Sequence, residues 1–161
     1  MRRVVFALLS VMLGVGVLSS ASVRAASTIR VESSSGGGRS ACHTLQISEL
    51  LAISTKGEGG RAFVDLSLSD TCGGGTGVST VAAGTLAAGD LTSNRNRTRL
   101  HATLIDEVGQ GTVVKLTAYF TCWHQDPSGT FCLATLTGKV TVNGITVTLD
   151  PSTDAAITPS S

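Results

Sequence analysis

The chain is expected to fold as an all-β protein: an antiparallel β-sandwich of about seven to nine strands, immunoglobulin-like in architecture only, with a small barrel as the second possibility. Three observations predict this. Apolar and polar residues alternate with period two through much of the chain, the pattern of half-buried strands. Four cysteines flank two turn sequences at equal distances. Turn residues are frequent, with 19 Gly among 161 residues, and Thr and Val, which suit a pleated surface, are plentiful. A content of 42% hydrophobic and 14% charged residues excludes wholesale disorder.

The first segment is not part of that fold. Met1-Arg2-Arg3 is basic, 4–18 is apolar apart from Ser10 and two glycines, and Val23-Arg24-Ala25 has the small-x-Ala form of a cleavage site. That order is an export signal, and its 15-residue apolar run falls short of the about 20 residues that span a bilayer. Residues 1–25 are therefore expected to be a cleaved signal peptide. Residues 26–161 are expected to form one domain with a short polar tail from about 155. Removing Arg2, Arg3 and Arg24 takes Lys+Arg from 12 to 9 against 11 Asp+Glu, so the processed chain has a net charge of −2. It lacks the strong basicity of nucleic-acid binders. Its expected location is secreted: extracellular, periplasmic or at a cell surface.

The cysteines pair by geometry. Cys42 and Cys72 are centred on position 57, within Thr55-Lys56-Gly57-Glu58-Gly59-Gly60. Cys122 and Cys132 are centred on position 127, within Asp126-Pro127-Ser128-Gly129. Residues equidistant from a turn face one another across an antiparallel pair, with Cβ atoms near bridging distance. The expected disulfides are Cys42–Cys72 and Cys122–Cys132. A thiolate–imidazole metal site using Cys122, His124 and Cys132 has the wrong spacing, and export favours oxidation.

Strands are expected over 28–32, 43–54, 61–69, 77–83, 97–105, 112–122, 130–142 and 145–149. Residues 33–40 and 72–75 read as Ser/Gly loops, and 45–53, where alternation falters, could instead form a short helix. Asn143-Gly144 is the strongest hairpin signal, because both turn positions accept positive φ. It pairs Val142 with Ile145 and Val140 with Val147, and puts Cys132, Ala134, Leu136, Val140, Val142, Ile145, Val147 and Leu149 on one face. Lys139, Thr141, Thr146 and Thr148 point the other way.

Catalytic motifs are missing: no G-x-S-x-G elbow and no H-E-x-x-H occur. The run 73–77 lacks the Lys of a phosphate loop. His43, His101 and His124 have no local partner, and Asp106-Glu107, Asp150 and Asp154 suit turns better than calcium, which needs six to eight oxygens. Asn96-Arg97-Thr98 is a formal glycosylation sequon. No cofactor and no metal are expected.

One constellation has chemical content. Pairing Cys122 with Cys132 sets Trp123 opposite Phe131, with Tyr119 on the same outward row. Arg95, Arg97 and Arg99 alternate onto the outward face of the neighbouring strand. Pairing Leu100 near Ala118 brings Arg99 beside Tyr119 and Arg95 beside Trp123. Flat rings suit sugar faces, and guanidinium groups bind carboxylate or phosphate. The bland alternatives are rings packed over the disulfide and arginines guarding a free strand edge. The expected function is a non-catalytic extracellular binding or surface-associated module, for an acidic glycan, another polyanion or a protein partner. The alternative is a secreted inhibitor that presents its disulfide-braced loop to an extracellular enzyme.

Overall fold

A computed structural model describes residues 28–75, 77–94, 96–107 and 111–160. Residues 1–25, expected to be a signal peptide, lie outside the described residues. Ten strands follow in order: β1 (Thr28–Ser33), β2 (Gly36–Arg39), β3 (His43–Thr55), β4 (Gly59–Asp70), β5 (Val78–Leu86), β6 (Leu91–Asn94), β7 (Arg97–Asp106), β8 (Val113–Gln125), β9 (Cys132–Val142) and β10 (Ile145–Ser160). All pairings are antiparallel and belong to one sheet.

The two layers that alternation demands come from that one sheet closing on itself. Consecutive strands pair around the molecule, and β1 completes the circuit by pairing with β10 on one edge and β3 on the other. β1 and β2 occupy in turn one position between β10 and β3, and β5 and β6 line in turn one edge of β7. Ten segments thus fill eight positions, the number at which side chains just fill a barrel. They do so here with Leu, Val, Ile, Ala and Phe120, while the outward rows of β7, β8 and β9 carry mostly Thr and charge.

Alternation placed the core correctly. Ala62, Val64, Leu66 and Leu68 of β4, Leu100, Ala102 and Leu104 of β7, and Val114, Leu116, Ala118 and Phe120 of β8 are all buried. The Asn143-Gly144 turn sets Val142 opposite Ile145 and Val140 opposite Val147, as its two-residue length requires. Both expected disulfides form, with Cα–Cα separations of 5.0 Å for Cys42–Cys72 and 5.8 Å for Cys122–Cys132, although register shifts keep each pair from standing directly opposite: Cys122 pairs with Ala134, and His43 with Asp70. All four cysteines are thereby used, as in proteins of oxidising, non-cytosolic compartments.

The differences have identifiable causes. The helix alternative over 45–53 is a strand whose register shifts between Ile47 and Glu49, so that Leu45 and Ile47, then Leu50 and Ala52, face inward. The supposed loop 33–40 contains β2. Its glycines read as flexible but serve close approach, since a Cβ on Gly38 would lie 1.9 Å from the Thr148 carbonyl oxygen. β6 has one buried apolar residue, Leu91, and exists through its pairing with β7. The polar tail expected from about 155 is a strand. Ser33 to Thr28 pair with Ala155 to Ser160, and Ala155, Ala156 and Ile157 are buried. Pro151 lies at the shift between Leu149 and Ser152, where no ladder hydrogen bond is needed.

Candidate functional site

The outward face of β7, β8 and β9 collects most of the expected site. Its rows are set by register: Arg97–Thr121–Thr135, Arg99–Tyr119–Thr137, His101–Thr117–Lys139 and Thr103–Lys115–Thr141. Arg99 lies directly beside Tyr119 and Leu100 opposite Ala118, as alternation and the turn imply. The Arg97 guanidinium carbon sits 4.0 Å from the Tyr119 ring centroid. Such stacking on an exposed ring contributes about 0.5–1 kcal/mol and fixes the fork of donors toward solvent.

Arg95 lies outside the described residues. Both edges of β7 are paired, so Arg97 and Arg99 do not guard a free edge. Trp123 is 57% exposed and Phe131 38% exposed, so neither is packed away beneath a loop.

The expected opposition of Trp123 and Phe131 does not occur. Cys122 pairs with Ala134, and Gln125 with Cys132, with a register shift between Cys122 and His124. Trp123 is the extra residue of that bulge, its ring centroid 6.0 Å from that of His124. Thr121 correspondingly faces Thr135 rather than Leu133. The cause is the hairpin tip, which closes by a hydrogen bond from the Asp126 amide to the Phe131 carbonyl and is not centred on Pro127. The strand register is displaced by two residues, an even number, so the faces expected for Tyr119 and Phe120 are unchanged.

The tip is braced by the Asp126 carboxylate. It accepts from the Phe131 amide at 2.7 Å, from the Ser128 amide at 3.2 Å and from the Ser128 hydroxyl. The Ser128 hydroxyl first, then the Phe131 amide, holds this carboxyl below the usual carboxylate range. A lowered folded-state pKa means that the brace is present at neutral pH and lost as pH falls through that lowered value. The Phe131 amide resonance is therefore expected to titrate with a midpoint below the 3.8 of an ordinary aspartate. A midpoint at or above that value would contradict the brace.

Register also recruits residues that sequence reading left aside. Lys139 is visibly outward from the hairpin pattern, but only the β8–β9 pairing puts it in the row of Thr117 and His101. Lys115 joins one row further on. The face thus holds Arg97, Arg99, Lys115, Lys139 and His101 among threonines, and none of its outward positions in these four rows is acidic. At about 3.4 Å per residue and about 4.8 Å per strand, the cations span roughly 20 Å by 10 Å. Neighbours lie within a Debye length at physiological salt, so their potentials add.

A cavity of about 310 Å³ opens at one side of this face, lined by Gly89, Asp90, Arg99, His101, Thr117 and Tyr119. His101 Nδ1 is 3.1 Å from the Thr117 hydroxyl. Asp90 accepts the Ala87 amide at 2.7 Å, which fixes the turn that walls the cavity. The lining mixes guanidinium, imidazole, hydroxyl and carboxylate groups, the partners that sugar hydroxyls and an acidic substituent require. Among the described residues no group of three or more His, Cys, Asp or Glu side chains gathers as a metal centre would need. No protein-family model, no curated protein and no solved structure matches the chain.

Proposed function

We propose that the protein is an exported, non-catalytic binding module that takes an acidic glycan on the outer face of β7, β8 and β9. The observation that carries this reading is the acid-free face bearing Arg97, Arg99, Lys115 and Lys139. A protein whose processed form is net negative has concentrated its cations there. Exposed Trp123 and Phe131 extend the face with flat apolar area for sugar rings. The nearby cavity accommodates one sugar unit, with Arg99 for its acidic group and Asp90 and Thr117 for hydroxyls. The signal segment and the two disulfides support secretion.

The test is titration of the purified domain with heparin and with oligogalacturonate at two salt concentrations. Each exposed ionic contact contributes about 0.2–1 kcal/mol. Replacing Arg97, Arg99 and Lys139 together by Ala is therefore expected to weaken binding roughly 10–100-fold and to flatten its salt dependence. Equal binding by the triple variant, or no binding of either probe by the unaltered domain, would refute the reading.

The inhibitor reading draws on the hairpin tip, which a disulfide and the Asp126 brace hold rigid, as an inserting loop requires. Stoichiometric loss of activity across a protease panel would favour it over the glycan reading.

A further inference from the structure

A neighbouring stretch of the barrel surface, running from β3 to β8 and sharing Lys115 with the cationic face, carries a different pattern. Leu51, Phe63, Ala83, Ile105 and Val113 stand on five neighbouring strands, each directly opposite the next. They form a transverse apolar row on the outside of the sheet, where Ile105 is 60% exposed. The row runs through a groove of about 640 Å³ whose margins include Arg61 and Glu107. The two flanks of the row differ in charge. One residue pair along the strands on one side lie Arg61 and Lys115, and on the other Glu49, Asp65 and Glu107. Glu49 faces Asp65 directly, a destabilising juxtaposition of like charges. The one ion pair among the described residues, Arg30–Glu32, involves none of these groups.

We propose that this face joins two copies of the chain, with the two-fold axis running along the apolar row. Rotation about that line lays apolar row on apolar row and turns each basic flank onto the other copy's acidic flank. Arg61 of each copy then meets Asp65 of the other, because both lie on β4 at mirror positions about the row. An axis across the row would instead set like flank against like. A second copy therefore supplies both the apolar cover and the countercharges that the single chain lacks. The row and its flanks cover roughly 20 Å by 14 Å per copy, well below the about 800 Å² per partner of a standard interface, so the association is expected to be weak and reversible.

Sedimentation velocity from about 10 µM to 1 mM tests this. The unaltered domain is expected to shift from monomer toward dimer across that range. The R61D variant is expected to remain monomeric throughout, since it sets Asp against Asp65. The R61D/D65R double variant, with the charges exchanged, is expected to dimerise again. I105K, in the centre of the row, is expected to stay monomeric. Circular dichroism checks that each variant is folded. A monomer at 1 mM, or an R61D variant that dimerises as the unaltered domain does, would overturn the proposal. So would failure of the double exchange to restore association.

Discussion

Ending the chain after Asp154 is expected to abolish the cooperative unfolding transition of the domain. Seven residues would be lost, and by composition they resemble a dispensable tail. In the fold they are the seam. Ala155 to Ser160 supply the partner of β1 on one edge, so truncation leaves β1 held only by β3. Burial of Ile157 alone contributes roughly 2 kcal/mol, and the closed sheet would gain two open edges. Val31, fully buried between the two ladders, would be uncovered. Together these losses approach the roughly 5–15 kcal/mol that holds an ordinary domain folded. Circular dichroism melts of chains ending at 154 and at 160 check it. A truncated chain that melts cooperatively within a few degrees of the longer one would show the seam to be dispensable.

Removing the Cys42–Cys72 bridge is the second large effect. Replacing both cysteines with Ala is expected to lower stability by about 4 kcal/mol, because the bridge closes the longer loop, with a sequence separation of 30. The Cys122–Cys132 bridge, with a separation of 10, is expected to contribute about 3 kcal/mol. For a domain of this size the losses correspond to falls in Tm of roughly 15 °C and 10 °C. The functional consequences should run in the opposite order. Cys122–Cys132 ties the hairpin that presents Trp123 and Phe131, so its loss should weaken the proposed glycan binding more than loss of the first bridge. Urea titrations of the two double variants, followed by the heparin titration, separate the effects. Equal stability losses would show that loop length does not govern the contribution.

The legible part of this fold is what parity controls. Inward and outward rows and the Asn143-Gly144 register follow from period-two alternation and a turn of known geometry, and both disulfide pairings are as expected although bulges displace each pair from direct opposition. The illegible part is what breaks parity or depends on distant neighbours. The bulges at Ser48 and Trp123 add one residue to one strand, a change that alternation registers only as noise. β2 is a run of glycines whose pairing exists because the Thr148 backbone comes too close for a side chain. The last strand hides behind Pro151 and a polar stretch, and its partner lies at the far end of the sequence. The candidate site divides the same way. Arg97, Arg99 and Tyr119 came together because one short turn links their strands, whereas Lys115 and Lys139 required the register of a third strand. Alternation puts Trp123 on the outer surface, as observed, but opposite the wrong residue, because the centre of a loop cannot be read from its proline alone.

Closure by β1 and β10 has one more consequence. Thr28 sits across from Ser160, so the chain enters and leaves the barrel about 5 Å apart, one strand spacing. The domain is in effect a ring cut at a single point. Such a unit can be spliced into a surface loop of a host protein as a cassette, both ends leaving together, without prying the host's own strands apart.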